Sequence, residues 1–116
     1  MAAVNKNTLV IENLDGEVIH IVKGRKSLCG ANLSGVNLRY ADLKSHELSK
    51  VNFSGADLYG ADLSGTDLFK TNFYNANLYG ANLLGAKFSS STILKGANLH
   101  HAIIFENYRL VEDNSI

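Results

Sequence analysis

Five carboxylates, Asp42, Glu47, Asp57, Asp62 and Asp67, stand five or ten residues apart, and each is followed immediately by a Leu. From Val51 to Phe69 the chain carries three of them and no basic residue. A row of this regularity is an array of fixed negative charge. If it sits on a rigid support, it can offer a partner the spacing of a polyanion's phosphates. A solvated Asp/Asn ladder demanded by the fold is the other reading of the same row. The remaining reactive residue types assemble nothing comparable. His100 and His101 are adjacent, so on extended backbone they point to opposite sides and do not converge on one metal. Cys29 has no second cysteine to pair with and reads as an inert thiol suited to a reducing compartment. The serines recur at outward positions, the histidines are scattered, and no nucleophile, base and oxyanion site come together. The glycines recur at a period of five, where they relax corners, and do not form a phosphate-binding loop. These residues predict a non-catalytic chain with no cofactor and no metal.

What positions the carboxylates is a repeat. From Leu33 to Phe88 a Leu or Phe falls on every fifth residue: Leu33, Leu38, Leu43, Leu48, Phe53, Leu58, Leu63, Leu68, Phe73, Leu78, Leu83 and Phe88. Neither a helix of period 3.6 nor a strand of period 2 keeps such a set on one side. A short repeat this strict predicts a solenoid in which each coil buries its apolar positions against the next.

The tandem motif A-[D/N]-L-x-x, as in Ala56-Asp57-Leu58-Tyr59-Gly60 and Ala61-Asp62-Leu63-Ser64-Gly65, resembles the pentapeptide-repeat family over roughly three quarters of the chain. It is similar to a short bacterial or phage-type member. The resemblance implies an all-β fold, a right-handed quadrilateral β-helix with one repeat per side and four per coil. The central Leu or Phe and the residue two before it then face inward. Four sides per coil give inward columns Leu28/Leu48/Leu68/Phe88, Leu33/Phe53/Phe73/Ile93, Leu38/Leu58/Leu78/Leu99 and Leu43/Leu63/Leu83/Ile104. About four coils make a rod of ~20 Å at the usual strand spacing. Two irregularities are expected: an opened corner at Ser45-His46-Glu47, and a bulge made by an extra Gly96.

The expected organisation is an N-terminal β-hairpin cap over residues 1–25, the β-helix over 26–106 and a C-terminal cap or tail over 107–116. Leu14-Asp15-Gly16 closes the hairpin between two β-branched runs. With 116 residues and no net charge, there is no overall pull toward nucleic acid or anionic membrane. No apolar run spans a bilayer and no signal peptide is visible, so the expected location is cytoplasmic.

Fold alone fixes no activity in so diverse a family. The resemblance implies one sharp function: members that protect gyrase from quinolones are thought to imitate DNA. This chain has about half their coils and is neutral where they are acidic. The acidic face Asp42, Glu47, Asp57, Asp62 and Asp67 would accordingly mark a DNA-mimic inhibitor of a bacterial DNA-binding enzyme or complex. A gyrase-interacting protein or a phage-encoded inhibitor of a CRISPR effector would be of this type, contacting protein and not nucleic acid. The alternative is a structural or assembly module that binds through exposed aromatics, Tyr59, Tyr79, Phe105 and Tyr108, or through the C-terminal end. The family's habits make a homodimer through the C-terminal coil a further expectation.

Overall fold

The computed structural model describes residues 8–104 in full and the backbone of 105, 108 and 109. It is a right-handed quadrilateral β-helix with no helix among the described residues. Each side is so short that it registers as a single parallel bridge to the coil above or below. Asn32 pairs with Asn52 and Asn52 with Asn72; likewise Asn37, Asp57 and Asn77 form one line, and Asp42, Asp62 and Asn82 another. The twenty-residue interval is the coil. Within it the central residue's amide donates to the coil below, as in Leu33 N–H to Asn52 O at 2.8 Å, and the residue before it donates to the coil above, as in Asn52 N–H to Ala31 O at 2.9 Å. The backbone is thereby satisfied between coils, as a β-sheet requires.

Corners are tight turns closed by bonds such as Ala56 N–H to Phe53 O at 2.9 Å and Ala61 N–H to Leu58 O at 3.0 Å. The fifth residue of the repeat takes a positive φ whether it is glycine or not: Gly55 has φ 67°, Tyr40 59°, Lys50 63°, Lys70 58°, Asn75 55° and His101 61°. Among the described residues, Ser45 and Ser90 stand at that position without the left-handed conformation.

The core is a narrow column. Leu28, Leu48 and Leu68 line the first side, Leu33, Phe53 and Phe73 the second, Leu38, Leu58 and Leu78 the third, and Leu43, Leu63 and Leu83 the fourth; all are buried. Phe53 and Phe73 stack at 5.3 Å with planes 7° apart. Small residues fill the companion positions, among them Ala41, Ala61, Ala81 and Ala102 on the fourth side. Where the companion is Thr71, its hydroxyl donates to Leu48 O at 2.8 Å, so burying it leaves no unmet polar group.

At the N-terminal end, β1 (Thr8–Asn13) pairs antiparallel with β2 (Val18–Lys23), and on its other edge with β3 (Ala41–Asp42) of the first coil. Ile11 is fully buried in the same core as Leu28, and Leu9, Ile19 and Val22 pack against it. The turn is organised by Asn13, whose Oδ1 accepts from the amides of Asp15 and Glu17 at 2.9 and 3.0 Å. Gly16 takes φ 83° there. At the other end β4 (Ile103–Phe105) pairs antiparallel with β5 (Tyr108–Arg109).

The last coil corrects the expected register. Ile93 bridges Asn72, the outward residue before Phe73, and Ile93 itself is 44% exposed. Leu94 therefore succeeds Phe73 in the second inward column and packs on the core. The extra residue lies in Ser89-Ser90-Ser91, one turn earlier than Gly96, which is an ordinary fifth residue with φ 76°. Thr92 confirms the frame, since its hydroxyl reaches Leu68 O at 2.7 Å just as Thr71 reaches Leu48 O. Phe88, placed inward by the repeat, is 36% exposed.

Where an opened corner is expected at Ser45-His46-Glu47, the turn is kept, His46 N–H donating to Leu43 O at 3.0 Å, and it is the side after it that is loosened. Leu68 N–H donates to Lys87 O at 3.0 Å and Lys87 N–H to Thr66 O at 2.8 Å. Among the described residues, the corresponding bonds of Glu47 and Leu48 to the neighbouring coils are missing. His46 is too large for the companion position, and it sits half-buried.

Candidate interaction surface

The residue before each central Leu or Phe is Asp or Asn for a local reason. Its Oδ1 accepts the amide two residues on and holds the corner, as in Asn52 to Ser54 at 2.9 Å, Asp57 to Tyr59 at 3.1 Å, Asp62 to Ser64 at 2.9 Å, Asp67 to Phe69 at 3.0 Å and Asn72 to Tyr74 at 2.9 Å. Either side chain makes this turn, so the fold itself asks for an acceptor and not for a charge. Four of the five carboxylates are committed in this way. Asp42 accepts from Lys44 N–H at 3.4 Å and from Lys44 Nζ at 2.8 Å. Asp57 accepts from Arg39 at 3.0 Å and from Asn77 Nδ2 at 3.2 Å, and Asp62 also takes the Ser64 hydroxyl. Glu47 is exposed on the loosened side that follows His46. The bonds to Asp57 and Asp42 raise the pKa of Arg39 and Lys44 respectively, which fixes both cations as charged partners. Asp42 lies over Asp62 in the parallel ladder, while Asp57 lies between Asn37 and Asn77. The acidic row is thus split by corners and partly neutralised by Arg39 and Lys44.

Tyr59 and Tyr79 share one side, and there they bind each other. Their rings stack at 5.2 Å, 2° from parallel. Arg39 covers Tyr59 at 4.2 Å, Tyr40 meets it edge-on at 5.6 Å, and His101 lies on Tyr79 at 5.1 Å. The flat faces are occupied from end to end, so solvent meets ring edges. Tyr40 lies across Gly60, where an added Cβ would come within 2.6 Å of the ring. The side chains of Phe105 and Tyr108 lie outside the described residues.

The unoccupied apolar surface is elsewhere. At the corner between the first and second sides, coils one and two present Cys29 and Ser49, then Asn32 and Asn52. Coils three and four present Phe69 (43% exposed) and Ile93 (44%), with Phe88 beside the serine insertion. Tyr74 and Leu84 are exposed on the second and fourth sides of the third coil. Lys70, Lys87 and Lys95 are exposed around this corner, and Lys70 Nζ sits 5.3 Å from the Phe69 ring centroid. Ser91 holds the insertion against the third coil by accepting from Lys70 N–H at 3.2 Å. The exposure of Ile93 was hidden in the sequence by the misplaced extra residue, and that of Phe88 by its place in the last coil, where the repeat still points it inward. The recurrence of Thr at 71 and 92 was the signal that could have located the extra residue.

A rod of stacked five-residue repeats with its core in the central Leu/Phe positions is one class of protein, and the sequence match agrees. The family of pentapeptide repeats matches residues 27–55 and 56–93, more than half of the chain, and the chain belongs to that family. No curated protein matches it. Among solved structures it is similar to a pentapeptide repeat protein from the thylakoid lumen of Arabidopsis thaliana, at 31% identity over 66% of this chain and 63% of that one, TM-score 0.39. It is similar to Rfr23 of the cyanobacterium Cyanothece 51142 at 33% identity, over 65% of this chain and 54% of that one, TM-score 0.43. A pentapeptide repeat protein of Nostoc PCC 7120 matches at 34% identity, over 71% and 72% of the two chains, TM-score 0.41. The chain spans less than two thirds of the length of the first two. Among the described residues no helix is long and apolar enough to cross a membrane.

Proposed function

We propose that the chain is a non-catalytic, cytoplasmic protein-interaction module whose partner docks on the corner of the third and fourth coils. The observation that supports this reading is the substitution of Phe69 and Ile93 for the Ser and Asn of earlier coils, with Phe88 exposed beside the serine insertion. Polar outward positions favour solubility; three apolar side chains gathered on one corner, beside single ones such as Tyr74 and Leu84 on other sides, fit a contact surface. The lysines around it suit a partner with an acidic rim. Restoring the column's own residues, Phe69→Ser and Ile93→Asn, removes the apolar tips while keeping the turn chemistry. The expected result in affinity capture from bacterial lysate is loss of the bound protein, with melting unchanged. Undiminished capture by the double variant sinks the reading.

A second reading, inhibition of a DNA-handling enzyme (a gyrase or a CRISPR effector, for example) through a DNA-like acidic face, draws on the direct stacking of Asp42 over Asp62. It is weakened by the pairing of Asp42 and Asp57 with Lys44 and Arg39. It requires that Asp57→Lys, Asp62→Lys and Asp67→Lys together abolish binding. A homodimer through the C-terminal coil would use its part-buried Leu94, Leu99 and Ile104.

A further inference from the structure

The opposite end of the molecule carries a strand that matches itself. β2 is the outer strand of a sheet ordered β2-β1-β3, so one of its edges has no neighbour among the described residues. Such an edge offers unpaired N–H and C=O groups to another strand, and proteins commonly protect it with proline, central charges or a covering element. The protection here is slight: the chain has no proline, the strand's charged residue is Lys23 at its end, with Glu17 just before its start, and its centre carries only His20. Its outer face is apolar, with Val18 52% and Ile21 53% exposed, next to Val10 of β1 at 42%. Gly16 and Gly24, with φ 83° and 78°, mark where the extended segment begins and ends.

Between those glycines the sequence is Gly16-Glu17-Val18-Ile19-His20-Ile21-Val22-Lys23-Gly24. It reads the same in both directions about His20, except that Glu17 answers Lys23; the extra residue at Ile19 moves the centre of its face pattern to Ile19–His20, with Val18 and Ile21 exposed on either side. We propose that β2 is a self-recognition strand, pairing antiparallel with β2 of a second copy about a two-fold axis at Ile19–His20. That pairing sets Val18 of each copy opposite Ile21 of the other, the two exposed residues of the outer face, and Glu17 opposite Val22, next to Lys23. A parallel pairing in the same register would set Glu17 against Glu17 and Lys23 against Lys23, so charge selects the antiparallel one. The irregularity of the β1–β2 register falls at the same place: Ile11 pairs with His20 and Glu12 with Val18, leaving Ile19 as the extra residue. A two-fold axis there brings the two bulges side by side, so both edges bend alike. Two six-residue strands bury much less than a standard stable interface of ~1,600 Å², so the dimer is a weak, concentration-dependent one.

The interface can be broken and rebuilt by charge alone. Glu17 and Lys23 are both exposed, and Glu17 gives up only a surface bond from Asn13 Nδ2 at 2.9 Å when replaced. In sedimentation equilibrium over a series reaching high-micromolar protein, the unaltered chain is expected to dimerise. Glu17→Lys and Lys23→Glu should each weaken the dimer by about ten- to thirty-fold, because two symmetry-related attractions become repulsions. Mixing the two single variants in equal amounts should restore association as a heterodimer, and the double variant Glu17→Lys/Lys23→Glu should dimerise with itself. A chain that stays monomeric throughout, or a dimer indifferent to every one of these changes, as one formed through the C-terminal coil would be, overturns the proposal.

Discussion

The second coil and the fourth are written in the same motif and end in different states. Phe53, Leu58 and Leu63 have a coil on each side and are wholly buried, whereas Phe88 is 36% exposed and Leu94, Leu99 and Ile104 are only partly covered. The repeat decides which way a side chain points; its burial is decided by whether another coil lies against it. The same difference governs the outside. Asx turns run through all the coils, while in the third and fourth, where the serine insertion breaks the twenty-residue interval, several outward tips become apolar.

This contrast can be broken most forcefully in the core. Phe53→Ala removes a ring stacked on Phe73 and should cost about 3–5 kcal/mol, whereas Phe88→Ala should cost about 1 kcal/mol or less, because much of that ring is already in water. Chemical denaturation of the two variants compares them directly; equal losses would mean that the last coil is covered as fully as the second. A smaller effect separates two corners. Gly60→Ala and Gly65→Ala both force a left-handed conformation on a residue with Cβ, costing about 1–2 kcal/mol. At Gly60 the new carbon also meets the Tyr40 ring, displacing it from Tyr59 for about 1 kcal/mol more; at Gly65 nothing lies within 4 Å. Thermal melts should therefore rank Gly60→Ala below Gly65→Ala.

The smallest effect concerns pH. Burial lowers the pKa of His46, with Asp42 opposing the shift. A histidine whose folded pKa lies below its unfolded value binds its proton less readily in the native state. Stability is then full above the unfolded pKa, near 6.5, and declines as pH falls through and below it. His46→Thr, which supplies the residue found at position 66, should remove that part of the acid sensitivity. An unchanged pH profile in His46→Thr would show that His46 plays no part in it.

Much of the molecule was legible from spacing alone. The five-residue period dictates the solenoid, and the run of alanines at 41, 61, 81 and 102 already marks the four-sided coil. The position of the extra residue was legible only in the recurrence of Thr at 71 and 92; the fifth site of the repeat accepts Gly, Tyr, Lys, Asn or His, so Gly96 carried no information as an insertion. The candidate site was read less well. Asp and Asn serve the corner equally, so the carboxylate row looked like a charge array when each acceptor is first of all a turn-former. The neutralising contacts of Arg39 and Lys44, and the mutual stacking of Tyr59 and Tyr79, depend on neighbours in adjacent coils that a linear motif does not display.

The most direct test sets the two surfaces against each other in one titration. Captured partner is measured for the unaltered chain, for Phe69→Ser/Ile93→Asn and for Asp57→Lys/Asp62→Lys/Asp67→Lys, at low and at raised salt. The account predicts that the first variant loses the partner and the second keeps it, with little dependence on salt. Binding that survives the first variant but vanishes in the second, and that salt releases, would contradict it.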